Sequence, residues 1–411
     1  MVGAFFRDRG SAVLHRKIVK FAVPLAAGVL ALSACSSNGK SGGGGKSGGS
    51  GGGKTVTIGL QGPLSGANAQ LGINVKDGVQ LAFNQFNAKP NKPFTVKLAT
   101  SDDEGDPSKA NAAATQLIQN NSIKAVIGPI FSGPTKASEP LYSSASLLSI
   151  TPSATNPQLT TQGFTSFLQG IANDNLQGKA MADYITKKLT PKPTKVYVID
   201  DKSEYGVGLA NVARADLKAD GVQVVSDSVP AGTPDYSGPA AKVANSKATA
   251  LIYAGYYADA APLAKKLHDA GYTGAVFSDD GAKDPQLVKL AGTAVNNWYL
   301  TCPCTDPTVQ ASTKTFATQY TSTFKTPPST YSAEGYDEAN MLLQQITKLG
   351  AGVSRQALLA AMKTADYKGI SKEFSFKSTG QFKGTDVWIY QVKSGKITFL
   401  GNVNQLVGSA G

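Results

Sequence analysis

Beyond residue 54 the chain alternates short apolar runs with longer segments whose apolar residues recur every three or four positions. The first kind reads as strands buried on both faces, the second as helices with one apolar stripe. Strand "TVTIGL" precedes a helix over Gly72–Asn87, and "FTVKLAT" precedes a helix over Pro107–Asn120. Strand "IKAVIGP" is followed by helix Gly133–Ser144 and strand "LLSI". After Ile171 the pattern restarts with helix Leu176–Leu189, strand "KVYVID", helix Gly206–Asp220 and strand "VQVVSDSV". Strand "TALIYAG", helix Ala258–Ala270 and strand "AVFSD" follow. The tail differs, with helices Glu334–Lys348 and Ser354–Thr364 and a hairpin, "WIYQVKSGKITFL", turning at Ser394-Gly395. Such alternation predicts parallel sheets with helices on both faces, and residues 55–411 exceed what one simple core holds. Two Rossmann-like α/β lobes are therefore expected.

The first 54 residues break this pattern. Arg7, Arg9, Arg16, Lys17 and Lys20 precede a short apolar stretch, Phe21–Ala34, with the layout of a signal segment. At fourteen residues it is short for a membrane span. It ends in Leu32-Ser33-Ala34-Cys35, small residues before a cysteine, which resembles the lipobox of bacterial lipoproteins. That resemblance implies cleavage before Cys35 and a lipid on its thiol. Ser36–Lys54 holds ten glycines and almost nothing apolar, so it is read as a tether. Its mean reach is about 24 Å. "GGSGGGKT", Gly48–Thr55, matches a phosphate-binding loop in letters only, because glycine precedes it and a strand follows where a helix is needed.

Charge changes the picture less than it first promises. The chain is +12, but residues 1–34 carry five basic side chains against one acid, which leaves +8 after cleavage. Only Arg214 and Arg355 remain as arginines. Nucleic-acid readers depend on Arg for bidentate contacts, so no nucleic-acid partner is expected. The histidines are His15, in the signal segment, and His268, on the solvated face of a helix. No G-x-S-x-G elbow and no His/Cys/carboxylate cluster suits a catalytic metal. Asp102-Asp103-Glu104 reads as a solvated loop after a strand. The chain is therefore expected to be neither an enzyme nor a user of a cofactor.

The candidate chemistry lies at the strand ends. In open α/β sheets ligands bind outside the carboxyl ends of strands, where helix N-termini offer free N–H groups. Just past those ends come "QGPLSGANAQLG", "GPIFSGPT", "TPSATNP", "DKSEYGVG", "AGYYAD" and "SDDGAKD". The first three, in lobe one, are rich in hydroxyls and glycine and carry no charge. Those of lobe two bring Tyr205, Tyr256, Tyr257 and Asp280, with Asp279 read as the solvated member of its pair. Neutral donors opposite rings and a carboxylate suit a zwitterionic amino acid.

The run "VIGPIFSG…ITPSATNPQLT…DKSEYGVGLA…AGYYAD…SDDGAKDPQL" resembles the leucine/isoleucine/valine-binding protein family, receptors of ABC transporters with the type I periplasmic-binding-protein fold. The likeness runs from about Thr55 to the C-terminus. It implies three crossings between lobes, near Ala172, Cys304 and Gly384. Lobe one would then be residues 55–172 plus 304–384, and lobe two 173–303 plus 385–411. By position, Ser132, Ser153 and Thr155 would hold a ligand α-carboxylate, with Thr155 also touching the ammonium. Tyr205, Tyr256 and Tyr331 would line the cleft, and Asp280 would take the ammonium. Leu71 stands where the family often has a cleft tryptophan, and Asp280 where it often has the longer Glu, which leaves the ligand side chain open. Aromatic amino acids, amides and urea are alternatives, and a surface lipoprotein with an adhesive or sensing role is another. The resemblance implies a small-molecule ligand, permease partners, a membrane contact through Cys35, an exported location and a monomer. Cys302 and Cys304, in "TCPCTD", remain as an even pair in an oxidising compartment and are expected to form a short local disulfide.

Overall fold

The computed structural model describes residues 54–408. The signal segment, Cys35 and all but the last residue of the tether lie outside the described residues. Strand β1 (Thr55–Gly62) leads to α1 (Ala69–Asn87), β2 (Thr95–Asp102), α2 (Pro107–Gln119), β3 (Ile123–Ile127), α3 (Ser132–Ser144), β4 (Leu148–Thr151) and β5 (Phe167–Gln169). Next come α4 (Asp174–Lys187), β6 (Lys195–Asp200), α5 (Glu204–Ala219), β7 (Gln223–Ser228), α6 (Ser237–Asn245) and β8 (Ala250–Ala254). They are followed by α7 (Tyr257–Asp269), β9 (Ala275–Ser278), α8 (Pro285–Ala291) and β10 (Tyr299–Cys302). The tail holds α9 (Lys314–Phe324), α10 (Ser332–Leu349), α11 (Arg355–Lys363), β11 (Tyr367–Lys368), β12 (Glu373–Phe374), β13 (Trp388–Lys393), β14 (Lys396–Asn402) and α12 (Val403–Val407).

The strands form two main sheets. The first is parallel in the order β2-β1-β3-β4-β5. The second runs β14-β13-β10-β9-β8-β6-β7, parallel except where the terminal hairpin pairs antiparallel with β10. Strands β11 and β12 make a small pair of their own. The chain leaves the first sheet between Gln169 and Asp174, leaves the second after Cys302, and rejoins it between Phe374 and Trp388. On the way, α10 packs on α1 so closely that a Cβ at Gly78 would sit 2.0 Å from the Ser332 carbonyl oxygen.

Burial explains which strands were plain in the sequence. Every residue of β8 is buried, in keeping with its unbroken apolar run at a central position. Strand β7, at the sheet edge, is half-exposed and carries Ser226, Asp227 and Ser228. Caps set the helix starts. Ser203 Oγ accepts from the Gly206 N–H at 2.9 Å, so α5 begins two residues before the expected Gly206. Among the described residues no helix is long and apolar enough to cross a membrane.

Each sheet changes strand direction of growth once on its parallel side, between β1 and β3 in the first and between β6 and β8 in the second. A switch point of this kind opens a crevice at the carboxyl ends of the strands. The two crevices meet at one cleft.

Candidate functional site

Each wall of the cleft is built from strand ends. After β3, Ile130 and Phe131 lead into Ser132, the first residue of α3; after β4 the turn carries Ser153. Opposite them, Tyr205 lies in the first turn of α5, Tyr256 immediately precedes α7, and Asp280-Gly281 follow β9. Tyr331 reaches in from the residue before α10. These nine residues enclose a cavity of about 10 Å3, room for about one water. A larger hollow, about 710 Å3 between Leu189 and Ala275, lies at the amino ends of β6, β8 and β9, the wrong end for a switch-point ligand.

The carboxylate is the centre of the second wall. Asp280 is 1% exposed, and Tyr205 Oη donates to its Oδ1 at 2.5 Å while Tyr331 Oη donates to Oδ2. Burial pushes the Asp280 carboxyl above its ordinary value, and the two phenol hydrogen bonds pull against that. Tyr331 keeps φ at +68°, left-handed and costly for a bulky residue, which is typical of a functional site. Gly281 admits no side chain, since a Cβ there would lie 2.8 Å from the Gly255 carbonyl oxygen and 3.0 Å from the Tyr205 ring.

The first wall offers neutral groups. Ser132 opens α3, so its N–H faces the cleft end of the helix without an intrahelical acceptor. Its Oγ accepts from the Asn156 N–H at 3.3 Å, which leaves its own hydrogen free. Ser153 lines the cavity, but its Oγ hydrogen is already given to the Ile130 carbonyl at 2.7 Å. Thr155 is fully buried behind this wall and its Oγ1 has no hydrogen-bond partner. Leu71 is fully buried in the hydrophobic core at the start of α1 and does not line the cavity, so the position of the family's cleft tryptophan is core packing here.

Two carboxylates differ from their sequence reading. Asp279 is not solvated: it is fully buried, and its Oδ2 accepts from the Gly255 N–H at 2.9 Å. Burial, then the charge of Asp280, holds its carboxyl well above the ordinary range. Asp103 is likewise buried, accepting from Gln61 Nε2 at 3.1 Å, whereas Asp102 and Glu104 are exposed. Burial raises Asp103 to about 6. His268 is exposed. Tyr257 packs between the lobes, its Oη accepting from the Gln70 N–H at 3.3 Å.

Sequence reasoning missed Ile130, Phe131 and Gly281, which line the cavity, and the burial of Asp174. Phe131 stacks on Tyr256 at 4.3 Å across the cleft, and its place in "GPIFSG" between two glycines was the available signal. Asp174 is fully buried at the start of α4, where an acid reads simply as a first-turn residue.

The lobes meet around the cavity. Asn156 Nδ2 donates to the Glu204 carbonyl at 2.7 Å, Lys136 pairs with Glu204 at 3.0 Å, and Asn74 Nδ2 donates to Asp284 at 2.9 Å. Cys302 and Cys304 are joined by a disulfide where the chain leaves the second sheet. Among the described residues no cluster of three or more His, Cys, Asp or Glu could hold a metal ion.

Known proteins share this arrangement. Residues 55–396 match the family model described as periplasmic binding protein. The Leu/Ile/Val-binding protein homolog 3 of Brucella melitensis is 30% identical over 350 residues, covering 84% of this chain and 93% of that protein. The leucine-binding protein LivK of Thermotoga maritima superposes with a TM-score of 0.78 at 26% identity, covering 84% of this chain and 98% of that one. The branched-chain amino acid transporter substrate-binding protein LivJ of Streptococcus pneumoniae, solved with isoleucine, gives a TM-score of 0.77 at 25% identity, covering 85% of this chain and all of the other. What the solved relatives share with this chain is the mixed α/β architecture over nearly their whole length. The chain belongs to the periplasmic binding protein family, with the type I fold.

Proposed function

We propose that this protein is the extracytoplasmic receptor of an ABC importer, capturing a free aliphatic or branched-chain amino acid between its lobes. One observation carries the reading: a single small cavity is lined by neutral donors, Ser132 and the N-terminus of α3, on one wall and by a buried acid, Asp280, on the other. An amino acid presents an anion and a cation a few ångströms apart, and both halves of the cavity then find a complementary charge. Ser132 and the free N–H groups at the start of α3 take the carboxylate end, joined by Ser153 when its hydroxyl turns from the Ile130 carbonyl and backed by Thr155, and Asp280, held by Tyr205 and Tyr331, takes the ammonium. Tyr256 and Phe131 cover the side chain. The solved LivJ relative holds isoleucine, which supports an aliphatic cargo.

In this reading the lobes divide near Ala172, Cys304 and Gly384, and the crossings are the hinge. A lipid on Cys35 holds the protein at the outer face of the cell membrane, the tether lets it swing, and the monomer delivers its cargo to permease subunits. The test is a thermal-shift screen of the tether-free domain against the amino acids, amides, urea and small acids. A ligand at 100 times its dissociation constant adds about 2.7 kcal/mol of stability. Leucine, isoleucine or valine is the expected hit. A set of hits with amides or sugars and no amino acid overturns the reading.

A further inference from the structure

Helix α5 carries a glycine at position 208, in its second turn, where no positive φ demands one and where glycine weakens a helix relative to alanine. The reason lies in the other lobe. A Cβ at Gly208 would have Asn156 as its nearest neighbour, with Nδ2 at 2.7, Cγ at 3.1 and Oδ1 at 3.7 Å. Gly206, by contrast, is crowded by its own lobe, where a Cβ would meet Asp201 Oδ1 at 2.3 Å and the Ala254 carbonyl oxygen at 2.6 Å. Asn156 lies in the turn after β4 and is 2% exposed. Its amide is divided between the lobes. Oδ1 accepts from the Gln158 N–H of its own turn at 2.9 Å, and Nδ2 donates to the Glu204 carbonyl of α5 at 2.7 Å. Only an amide does both, since a carboxylate cannot donate and an ammonium cannot accept. The Lys136–Glu204 pair also bridges the lobes, but both side chains reach solvent, where such pairs contribute little.

The same residue touches the carboxylate donor of the first wall. The Asn156 N–H donates to Ser132 Oγ at 3.3 Å, which leaves the Ser132 hydrogen for the cavity that Ser132 lines. Gln169 Nε2 donates to the Asn156 carbonyl at 3.2 Å and fixes the turn. On the far side, Glu204 is followed by Tyr205, whose Oη holds Asp280 at 2.5 Å. One residue thus runs from the donor of one wall to the helix start that carries a phenol of the other. Ser132 and Asp280 have to reach a cargo at once, and the fit of the amide against Gly208 sets how near they come. We infer that Asn156 is the positioning residue that ties Ser132 to lobe closure, its amide seating on α5 in the gap that Gly208 leaves. The inference deepens the amino-acid reading and rests on it.

The test is Gly208→Ala, read by calorimetry with L-leucine and by thermal melts without it. The added methyl group fills the seat in the closed state and favours the helix in the open one. Leucine is expected to bind about ten-fold more weakly or worse. The ligand-free melting temperature is expected to equal or exceed the parent's, a pair of signs that general damage to the fold does not produce. Asn156→Asp keeps the acceptor for Gln158 and loses the donor to Glu204, and is expected to bind leucine more weakly through faster release. Asn156→Ala removes the amide that the methyl group would strike, so adding Gly208→Ala to it is expected to weaken binding little further. Unchanged leucine binding in Gly208→Ala, or losses that multiply in the double variant, would overturn the inference. If the parent binds no leucine, the receptor reading itself fails, and the seat is judged by Asn156→Cys with Gly208→Cys. Under a mild oxidant, a cross-link between these two positions in the ligand-free protein sustains the seat, and its absence overturns it.

Discussion

Asp279 and Asp280 are neighbours in sequence with opposite duties. Asp280 points at the cavity between two phenols, whereas Asp279 turns back to hold the Gly255 N–H at 2.9 Å and the Ala282 N–H at 3.2 Å. Asp280→Ala is expected to weaken amino-acid binding by about 2–5 kcal/mol, the usual effect of removing one partner of a buried charge pair. Asp279→Ala is expected to lower stability by about 1–3 kcal/mol, because it orphans buried N–H groups. Calorimetry and thermal melts on the two variants separate these effects. Equal losses of affinity would mean that the wrong one of the pair was assigned to the ligand. At this scale the sequence was legible where a residue type and a strand end coincide, as at Ser132, Tyr205 and Asp280. It was not legible at Asp279, because "DD" reads the same whether each side chain turns to water, backbone or cavity.

Among the elements, those with long periodic or unbroken apolar runs were foreseen to within a few residues, and the rest shared a weakness of signal. Strands β5 and β10 have three and four residues, too few to show a period. Helix α9, "KTFATQYTSTF", is rich in threonine, a poor helix former, and is held by Phe316 and Tyr320 packing on Leu81 and Ala333. Tertiary burial, invisible in the run itself, decides these. The terminal hairpin was plain because its turn chemistry is local. Ser394 and Gly395 both have positive φ, +48° and +74°, as a two-residue primed turn requires. Asparagine tolerates that region better than serine. Ser394→Asn is therefore expected to raise stability by a few tenths of a kcal/mol in urea titrations, with the m-value unchanged.

At the scale of the whole molecule, lobe closure and pH both leave marks. The contacts Asn156–Glu204, Lys136–Glu204 and Asn74–Asp284 exist only with the lobes together, and a ligand touching both walls favours that state by its differential contacts. Saturating leucine is expected to shrink the radius of gyration in solution scattering, and identical curves with and without it would rule out hinge closure. Buried acids set the pH response. Burial raises Glu139 to about 8, and Asp103, Asp201 and Asp337 to about 6. A carboxyl with a raised pKa holds its proton in the folded state after the unfolded chain has lost it. Its stabilisation is therefore complete below the ordinary carboxylate range and is lost as pH rises through the folded value. Stability is expected to fall from about pH 4.5 to about pH 8, each such group removing up to about 1.4 kcal/mol per pH unit within its own window. Glu139→Gln is expected to flatten the upper part of that slope in urea unfolding at pH 6 and pH 8, and an unchanged slope would show that Glu139 does not carry it.

The cavity behind Phe131 and Tyr256 has room for about one water, and this governs time as well as affinity. A chamber that small admits no amino acid until the lobes part, so a cargo can enter only as fast as they open and is held only once they close around it. Capture is then two events in series, a collision that quickens with concentration and a closing step that does not. In stopped-flow mixing that follows tyrosine fluorescence, the observed rate is expected to climb with leucine and then level off at the closing rate. A rate that keeps rising in proportion to leucine would mean that the door never limits the traffic.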